Sequence, residues 1–341
     1  MKVASFFSGA GGLDRGFKNA GFQVPWANEY DKNIWATFEA NFPKTQLDRR
    51  SILKVQPSDI PDVDGFVGGP PCQSWSEAGA KRGIDDPRGK LFYEYMRLLE
   101  VKRPKFFLAE NVSGILSKRN KDALNDILEG FLRLGYNVSY GLLRSSDYGV
   151  PQDRDRVFII GYQQQYGKHF VPPKPFPTKP TLKDAIWDLK DNAVRSDGYD
   201  HNPKTKVDNH EYFVGGFSPM FMSRNRVRSW SNQSFTIQAS ARQACLHPMA
   251  PRFISIDKDR YIFVPTQEHL YRRLTVRESA RIQTFPDDFV FKYDKVDVGY
   301  KMIGNAVPVK FAEAIAKQIK KDLAGTEPVK KSRKKGTITK Y

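Results

Sequence analysis

Val63-Asp64-Gly65-Phe66-Val67-Gly68-Gly69-Pro70-Pro71-Cys72-Gln73-Ser74-Trp75-Ser76 is the stretch on which the reading of the chain turns. Val63 to Val67 has the apolar content of a short buried strand, and two glycines followed by two prolines forbid helix and end that strand abruptly. Cys72 is thereby presented at a strand's carboxyl end, where open parallel sheets collect their ligands. A thiol is a nucleophile only as thiolate, which requires nearby positive charge or dipoles. An isolated cysteine reads first as a buried structural residue. Pro-Pro-Cys-Gln-Ser is not a core pattern, however, and its companions along the chain tip the balance toward chemistry.

Upstream, the apolar run Val3 to Phe7 ends in Ser8-Gly9-Ala10-Gly11-Gly12, after which Leu13, Phe17 and Ala20 fall at helical spacing. This is strand, glycine turn, helix, but not the dinucleotide fingerprint, whose third glycine would fall on Asp14. A second run, Phe22 to Ala27, leads to Glu29, about 20 residues beyond Gly9, where an acid commonly takes ribose hydroxyls. The pair points to an adenosine-containing cofactor with no demand for phosphate binding. Asp31 caps a helix carrying Ile34, Trp35 and Phe38.

Downstream, the rhythm continues through a helix from Leu91 to Val101, the strand Phe106 to Glu110, a helix from Lys121 to Leu134, and strands near Asn137 to Leu143 and Val157 to Tyr162. Such alternation predicts an α/β fold, a doubly wound, mainly parallel sheet with helices on both faces. Glu110-Asn111-Val112 closes its strand as Cys72 closes another, so both are expected to face one crevice.

The chain has 341 residues, more than one hydrophobic core usually serves, so two domains are expected. Lys and Arg number 55 against 38 Asp and Glu, a formal +17, which points to a polyanionic partner. Six of the positive charges lie in the tail, and without those six the chain still carries +11. No apolar run approaches the ~18 residues of a membrane span, and no secretory n-region opens the chain. A soluble, intracellular protein is expected. Cys72 and Cys245 are too far apart and too few for a disulfide framework or structural zinc.

Between Gly167 and Thr266 the rhythm fails. Pro172, Pro173, Pro175, Pro177 and Pro180 form a stiff linker, followed by segments rich in Asn, Arg, Ser and aromatics. Arg224, Asn225, Arg226 and Arg228, then Arg242 and Gln243, suit groove reading, since Arg pairs bidentately with guanine and Asn or Gln with adenine. A solvated basic face is the alternative. Leu270 to Ile282 predicts a basic amphipathic helix capped by Thr275, and Gly304-Asn305-Ala306-Val307-Pro308 precedes a last helix that returns to the first domain. The expected units are 1–168 with 290–324, an irregular β-rich recognition domain at 169–289, and a basic flexible tail at 325–341.

Together these residues resemble the bacterial cytosine-5 DNA methyltransferases of type II restriction-modification systems. The resemblance covers nearly the whole chain apart from the tail. Its ordered motifs are Phe7 to Gly12, the Pro-Pro-Cys-Gln-Ser loop, Glu110-Asn111-Val112, Gln152-Asp153-Arg154-Asp155-Arg156, Arg273 to Glu278, and Gly304 to Pro308. The runs Ser223 to Arg228 and Gln238 to Gln243 look most like the subgroup that modifies GGCC at the inner cytosine.

The resemblance implies a Rossmann-like class I methyltransferase fold and S-adenosylmethionine as cofactor, leaving S-adenosylhomocysteine. It assigns Cys72 to attack carbon 6 of cytosine, Glu110 to ring nitrogen 3, and Arg156 with Arg154 to the cytosine carbonyl oxygen and to keeping Cys72 ionised. The cofactor positions carried over are Phe7, Gly9, Gly11, Gly12, Leu13, Glu29, Tyr30, Ser51, Ile52, Pro70, Leu91, Asn305 and Val307. Ser74 joins the DNA-contacting residues. Ser51-Ile52 stands where the family usually has Asp-Ile, with Asp48 three residues earlier; a neutral acceptor is weaker than a carboxylate, so weaker cofactor affinity is implied. The implied partner is double-stranded DNA, with no membrane or metal, a monomeric state, a functionally paired restriction endonuclease and a cytoplasmic bacterial location. The rivals are a tRNA cytosine-5 methyltransferase, a catalytically dead DNA-binding protein and, least favoured by its glycines, a nicotinamide dehydrogenase.

Overall fold

The computed structural model describes residues 1–71, 87–328 and 336–341, with side chains in the middle span from Leu91 onward. Cys72 and Ser74 lie outside the described residues. In chain order the first half runs β1 (Lys2–Phe6), α1 (Gly12–Asn19), β2 (Gln23–Asn28), α2 (Lys32–Asn41), β3 (Gln46–Asp48), β4 (Gly65–Gly68), α3 (Pro87–Lys102), β5 (Phe106–Val112), α4 (Lys121–Arg133), β6 (Tyr136–Arg144) and β7 (Asp155–Gln163). Then follow α5 (Leu182–Ile186), β8 (Val194–Arg195), β9 (Glu211–Tyr212), β10 (Ile254–Asp257), β11 (Arg260–Ile262), α6 (Val276–Ile282), α7 (Val296–Asn305), α8 (Val309–Leu323) and β12 (Ile338–Lys340).

One eight-stranded sheet carries the order β12-β6-β7-β5-β4-β1-β2-β3. Its pairs are parallel except those of β7, which runs antiparallel to both β5 and β6. Strand residues alternate between two cores, as a period of two requires. Val3, Val67, Phe106 and Leu108 pack with Phe17 of α1 and Phe311 and Ile315 of α8. Phe6, Phe66 and Phe107 turn to the other face, against Tyr95 of α3 and Phe131 of α4. The sheet is thus doubly wound, and α8 returns to it as expected: a Cβ placed on Gly16 would lie 2.4 Å from the Ala312 Cβ, so α1 and α8 touch nearly backbone to backbone.

Three expectations are corrected. The predicted helix from Leu270 runs only over Val276–Ile282, because His247 N donates to Arg272 O and Leu274 N to Cys245 O, which holds 272–274 extended. Thr275 caps it, with its side chain on Glu278 N and the Glu278 carboxylate on Thr275 N. The segment 169–289 contains little strand, only the β8–β9 and β10–β11 pairs. Guanidinium groups satisfy its carbonyls instead: Arg226 donates to Met220 and Phe221, Arg273 to Gly215 and Gly216, and Arg277 to Asp208 and Phe289.

The tail expected to be flexible ends in a strand. β12 pairs in parallel with β6, and Tyr341 donates its hydroxyl to Phe158 O at 3.0 Å. Edge pairing needs backbone more than apolar side chains, and Gly141 leaves the Tyr341 ring its space, since a Cβ there would come within 2.5 Å of it.

Candidate active site

The carboxyl ends of β1, β2, β4 and β5 open into one cavity of about 460 Å³. Its wall brings together Phe7, Gly9, Gly12, Leu13, Glu29, Pro70, Glu110, Asn305 and Val307, all singled out from the sequence. Phe7, Gly9 and Gly11 take left-handed φ of 51°, 55° and 91°, so the chain folds sharply back before α1. No side chain caps α1. Its first-turn N–H groups, beginning at the lining residues Gly12 and Leu13, are left for a ligand. Gly12 is required by closeness: a Cβ there would stand 2.4 Å from Val307 O.

Glu29 is fixed by the turn it faces. Its two oxygens accept from Gly9 N at 2.8 Å and Asp31 N at 2.7 Å. Burial raises its carboxyl above the ordinary range while these bonds oppose the rise.

On the opposite side, the antiparallel register sets Val112 against Arg156 and Glu110 against Phe158. Glu110 and Arg156 therefore share a face as diagonal neighbours, and Arg156 Nε lies 2.9 Å from Glu110 Oε1. Burial pushes the Glu110 carboxyl up, while the charges of Arg156 and Arg154 pull it back. A Cβ on Gly69 would sit 3.1 Å from Glu110 Oε2, so this glycine lets the loop approach the acid. Asn111 donates to Pro70 O at 3.0 Å and ties the same loop to β5. Pro71 lines the cavity, and Cys72 follows it in sequence.

Arg154 is not beside Glu110 in the cavity wall, contrary to expectation. It is 1% exposed, and its terminal nitrogens donate to Ile237 O at 3.2 Å and Gly304 O at 2.8 Å. It clamps the segment at Ile237 to the end of α7 and acts on Glu110 only through its charge.

Other expected cofactor residues stand apart from the wall. Gly11 is backed by the Phe42 ring, Tyr30 is 72% exposed, and Ile52 is buried in the core, with Leu91 packed against it. Ser51 precedes a short helical turn without capping it. Asp48 does not substitute for the family's acid, since Arg50 holds its carboxylate.

The expected base readers divide. Asn225 donates to Val227 O and accepts from Phe253 N, and Arg226 is committed to Met220 O and Phe221 O. Arg228 lies over the Phe235 ring at 4.2 Å and reaches Asp153 at 3.4 Å. These three make their contacts within the segment itself and against Asp153. Arg224 and Arg242 are exposed and Gln243 is half-buried.

Sequence reasoning missed Lys301, which lines the cavity and pairs with Asp31 at 2.8 Å across its mouth. It also missed a buried amide relay: Gln152 donates to Gln283 at 2.8 Å and accepts from Ile237 N, while Gln283 donates to Ile303 O. The position of Gln152 at the head of the Arg154 motif was the available signal. Among the described residues no cluster of His, Cys, Asp or Glu is placed to hold a metal, and no helix is long and apolar enough to cross a membrane.

A doubly wound sheet whose strand ends open into one cavity, lined by a glycine turn and two half-buried acids, one of them paired with an arginine, is the arrangement of a class I methyltransferase. The pattern of the C-5 cytosine-specific DNA methylase family matches residues 1–321, and the chain belongs to that family. The type II methyltransferase M.FnuDI of Fusobacterium nucleatum is 55% identical over 99% of each chain. M.NgoPII of Neisseria gonorrhoeae, another type II methyltransferase, is 55% identical over 95% of this chain and 96% of its own. Among solved structures, the Entamoeba histolytica methyltransferase EhMeth shares the fold with a TM-score of 0.70, at 17% identity over 95% of this chain and 98% of that one.

Proposed function

We propose that the chain methylates carbon 5 of the inner cytosine of GGCC in duplex DNA, using S-adenosylmethionine and a transient bond from Cys72 to an extruded base. The observation that carries this reading is Glu110, which lines the cavity opposite Gly9, Gly12 and Glu29 and is paired at 2.9 Å with Arg156 behind it.

The residues fit the cofactor. About 460 Å³ lies within the range of small-molecule pockets. Glu29 would take the ribose hydroxyls. Phe7, Gly9, Gly12 and Leu13, with Asn305 and Val307, would hold the methionine portion, and Pro70 would lie toward the sulfonium. When bound, the cofactor supplies an electrophilic methyl group.

The chain's own groups prepare cytosine to accept it. Carbon 5 is a poor nucleophile until a thiolate adds to carbon 6. The Cys72 sulfur pair forms that bond, and the displaced ring electrons move toward nitrogen 3 and carbon 5. Glu110, kept protonated to higher pH by burial, donates to nitrogen 3. Arg156 orients Glu110 and meets the carbonyl oxygen. Carbon 5 would then take the methyl group as nitrogen 3 returns its proton to Glu110, and loss of the carbon 5 proton to a base expels Cys72 as thiolate and restores the ring. None of these atoms is reachable inside a duplex, so the base is flipped at a cost of about a few kcal/mol. Arg224, Arg242 and Gln243 would read neighbouring bases, and the modified site would be refused by a paired restriction endonuclease.

Bisulfite sequencing of DNA from a host expressing the chain tests the reading. Protection at the inner cytosine of GGCC is expected. Unprotected DNA together with labelled tRNA would overturn it.

A further inference from the structure

We infer that Tyr199 is a specificity-determining positioning residue that presets Arg242 as a fixed fork for one base of the recognition site. The inference rests on the proposed role of Arg242 as a base reader. Arg242 lies exposed on the helical turn Ala241–Gln243. Its Nε donates to the Tyr199 hydroxyl at 2.7 Å. Among the described residues its two terminal nitrogens have no acceptor within bonding reach.

A guanidinium is planar, so holding Nε on a fixed oxygen leaves the terminal N–H groups aimed together. That is the geometry a bidentate contact to guanine requires. An untethered surface arginine would lose rotamer freedom on binding, and the tether removes part of that loss beforehand.

The tether has its own support. The Tyr199 ring lies 4.6 Å from Phe213, and its carbonyl accepts from Val296 N at 2.7 Å. The turn is anchored separately: Ala241 N donates to Asp297 Oδ1 at 2.7 Å, and Arg242 O accepts from Arg273 at 3.5 Å. Removing the Tyr199 hydroxyl therefore frees the Arg242 side chain without freeing its backbone. Val296 and Asp297 open α7, whose last residue, Asn305, lines the cavity. One rigid helix thus connects the fork to the methyl-transfer site.

The test is steady-state methylation by the full chain on its preferred duplex and on duplexes with each base pair of the site changed in turn. R242Q should lower discrimination at one position by about 10- to 100-fold. Y199F should lower it at the same position by about threefold to tenfold, through KM rather than kcat, with adenosylmethionine binding and Tm unchanged. The double variant should be no worse than R242Q, and Y199Q, which restores an acceptor, should discriminate better than Y199F. Wild-type discrimination by Y199F, loss at other positions, additivity in the double variant, or no recovery in Y199Q overturns the inference alone. Wild-type discrimination by R242Q would remove the premise and the inference together.

Discussion

Arg156 Nε lies 2.9 Å from Glu110 Oε1 because β7 runs antiparallel to β5 and seats the two residues diagonally on one face. The pairing balances two opposing effects, burial raising the Glu110 carboxyl and arginine charge lowering it. In R156Q, burial is left less opposed, and Glu110 should keep its proton to still higher pH. The alkaline limb of kcat/KM should therefore move to higher pH than in wild type, while the plateau falls by about 100-fold or more. A limb that stays in place or moves to lower pH would contradict this role.

Gly304 allows the end of α7 to touch the chain at Gln238 and Ala239. A Cβ there would meet Gln238 O and Ala239 N at 2.4 Å, both backbone atoms that cannot rotate away. Gly304→Ala should cost about 1–3 kcal/mol in urea unfolding, with weakened DNA binding. Gly216 has open space at the same position of a Cβ, so Gly216→Ala should stay within about 0.5 kcal/mol.

Asp14 is buried in the first turn of α1, with the Ser5 hydroxyl as the polar side chain facing its carboxylate and opposing part of the cost of burial. Burial pushes its carboxyl up to about 7, with the Glu29 charge adding to the rise. Below pH ~4 folded and unfolded chains both hold the proton, so the Asp14 contribution is fully present there. As pH rises toward 7 the unfolded chain releases its proton first, and folded stability falls. Asp14→Asn removes this dependence. Its advantage in thermal denaturation should grow from near zero at pH ~4 to a plateau of about 4 kcal/mol above pH ~7; a flat difference would show that Asp14 does not titrate in this way.

Much of this was legible in the sequence where the signal is local. A strand followed by Gly9 to Gly12, and Glu29 at its spacing, located the cavity because turn chemistry and strand ends are short-range properties. The different fates of Arg154 and Arg156 were not legible. Two residues apart, they would share a strand face, but β7 begins at Asp155 and Arg154 turns toward Ile237 O and Gly304 O. The contacts that Asn225 and Arg226 make within their own segment were not legible for a related reason. An irregular segment must satisfy its own carbonyls, and composition does not say which donors are committed to that task.

The tail shows the converse. Its charge predicted solvation, yet β12 covers the β6 edge, where an open strand would invite pairing with other chains. Tyr341→Ala loses the hydrogen bond to Phe158 O and the ring contact with Phe170. It should lower stability by about 2–3 kcal/mol in urea, and removal of 336–341 should in addition promote aggregation.

Covalent capture on a duplex carrying 5-fluorocytosine at the inner position of GGCC tests the proposed chemistry most directly, because fluorine blocks release of the cysteine after methyl transfer. With S-adenosylmethionine present, wild type should form a complex that survives denaturing electrophoresis and maps to Cys72. C72S should bind the same duplex without capture, and E110Q should capture it at least about 100-fold more slowly. Efficient capture by C72S, or wild-type protein that methylates ordinary DNA yet never becomes attached to the fluorinated duplex, would contradict the account.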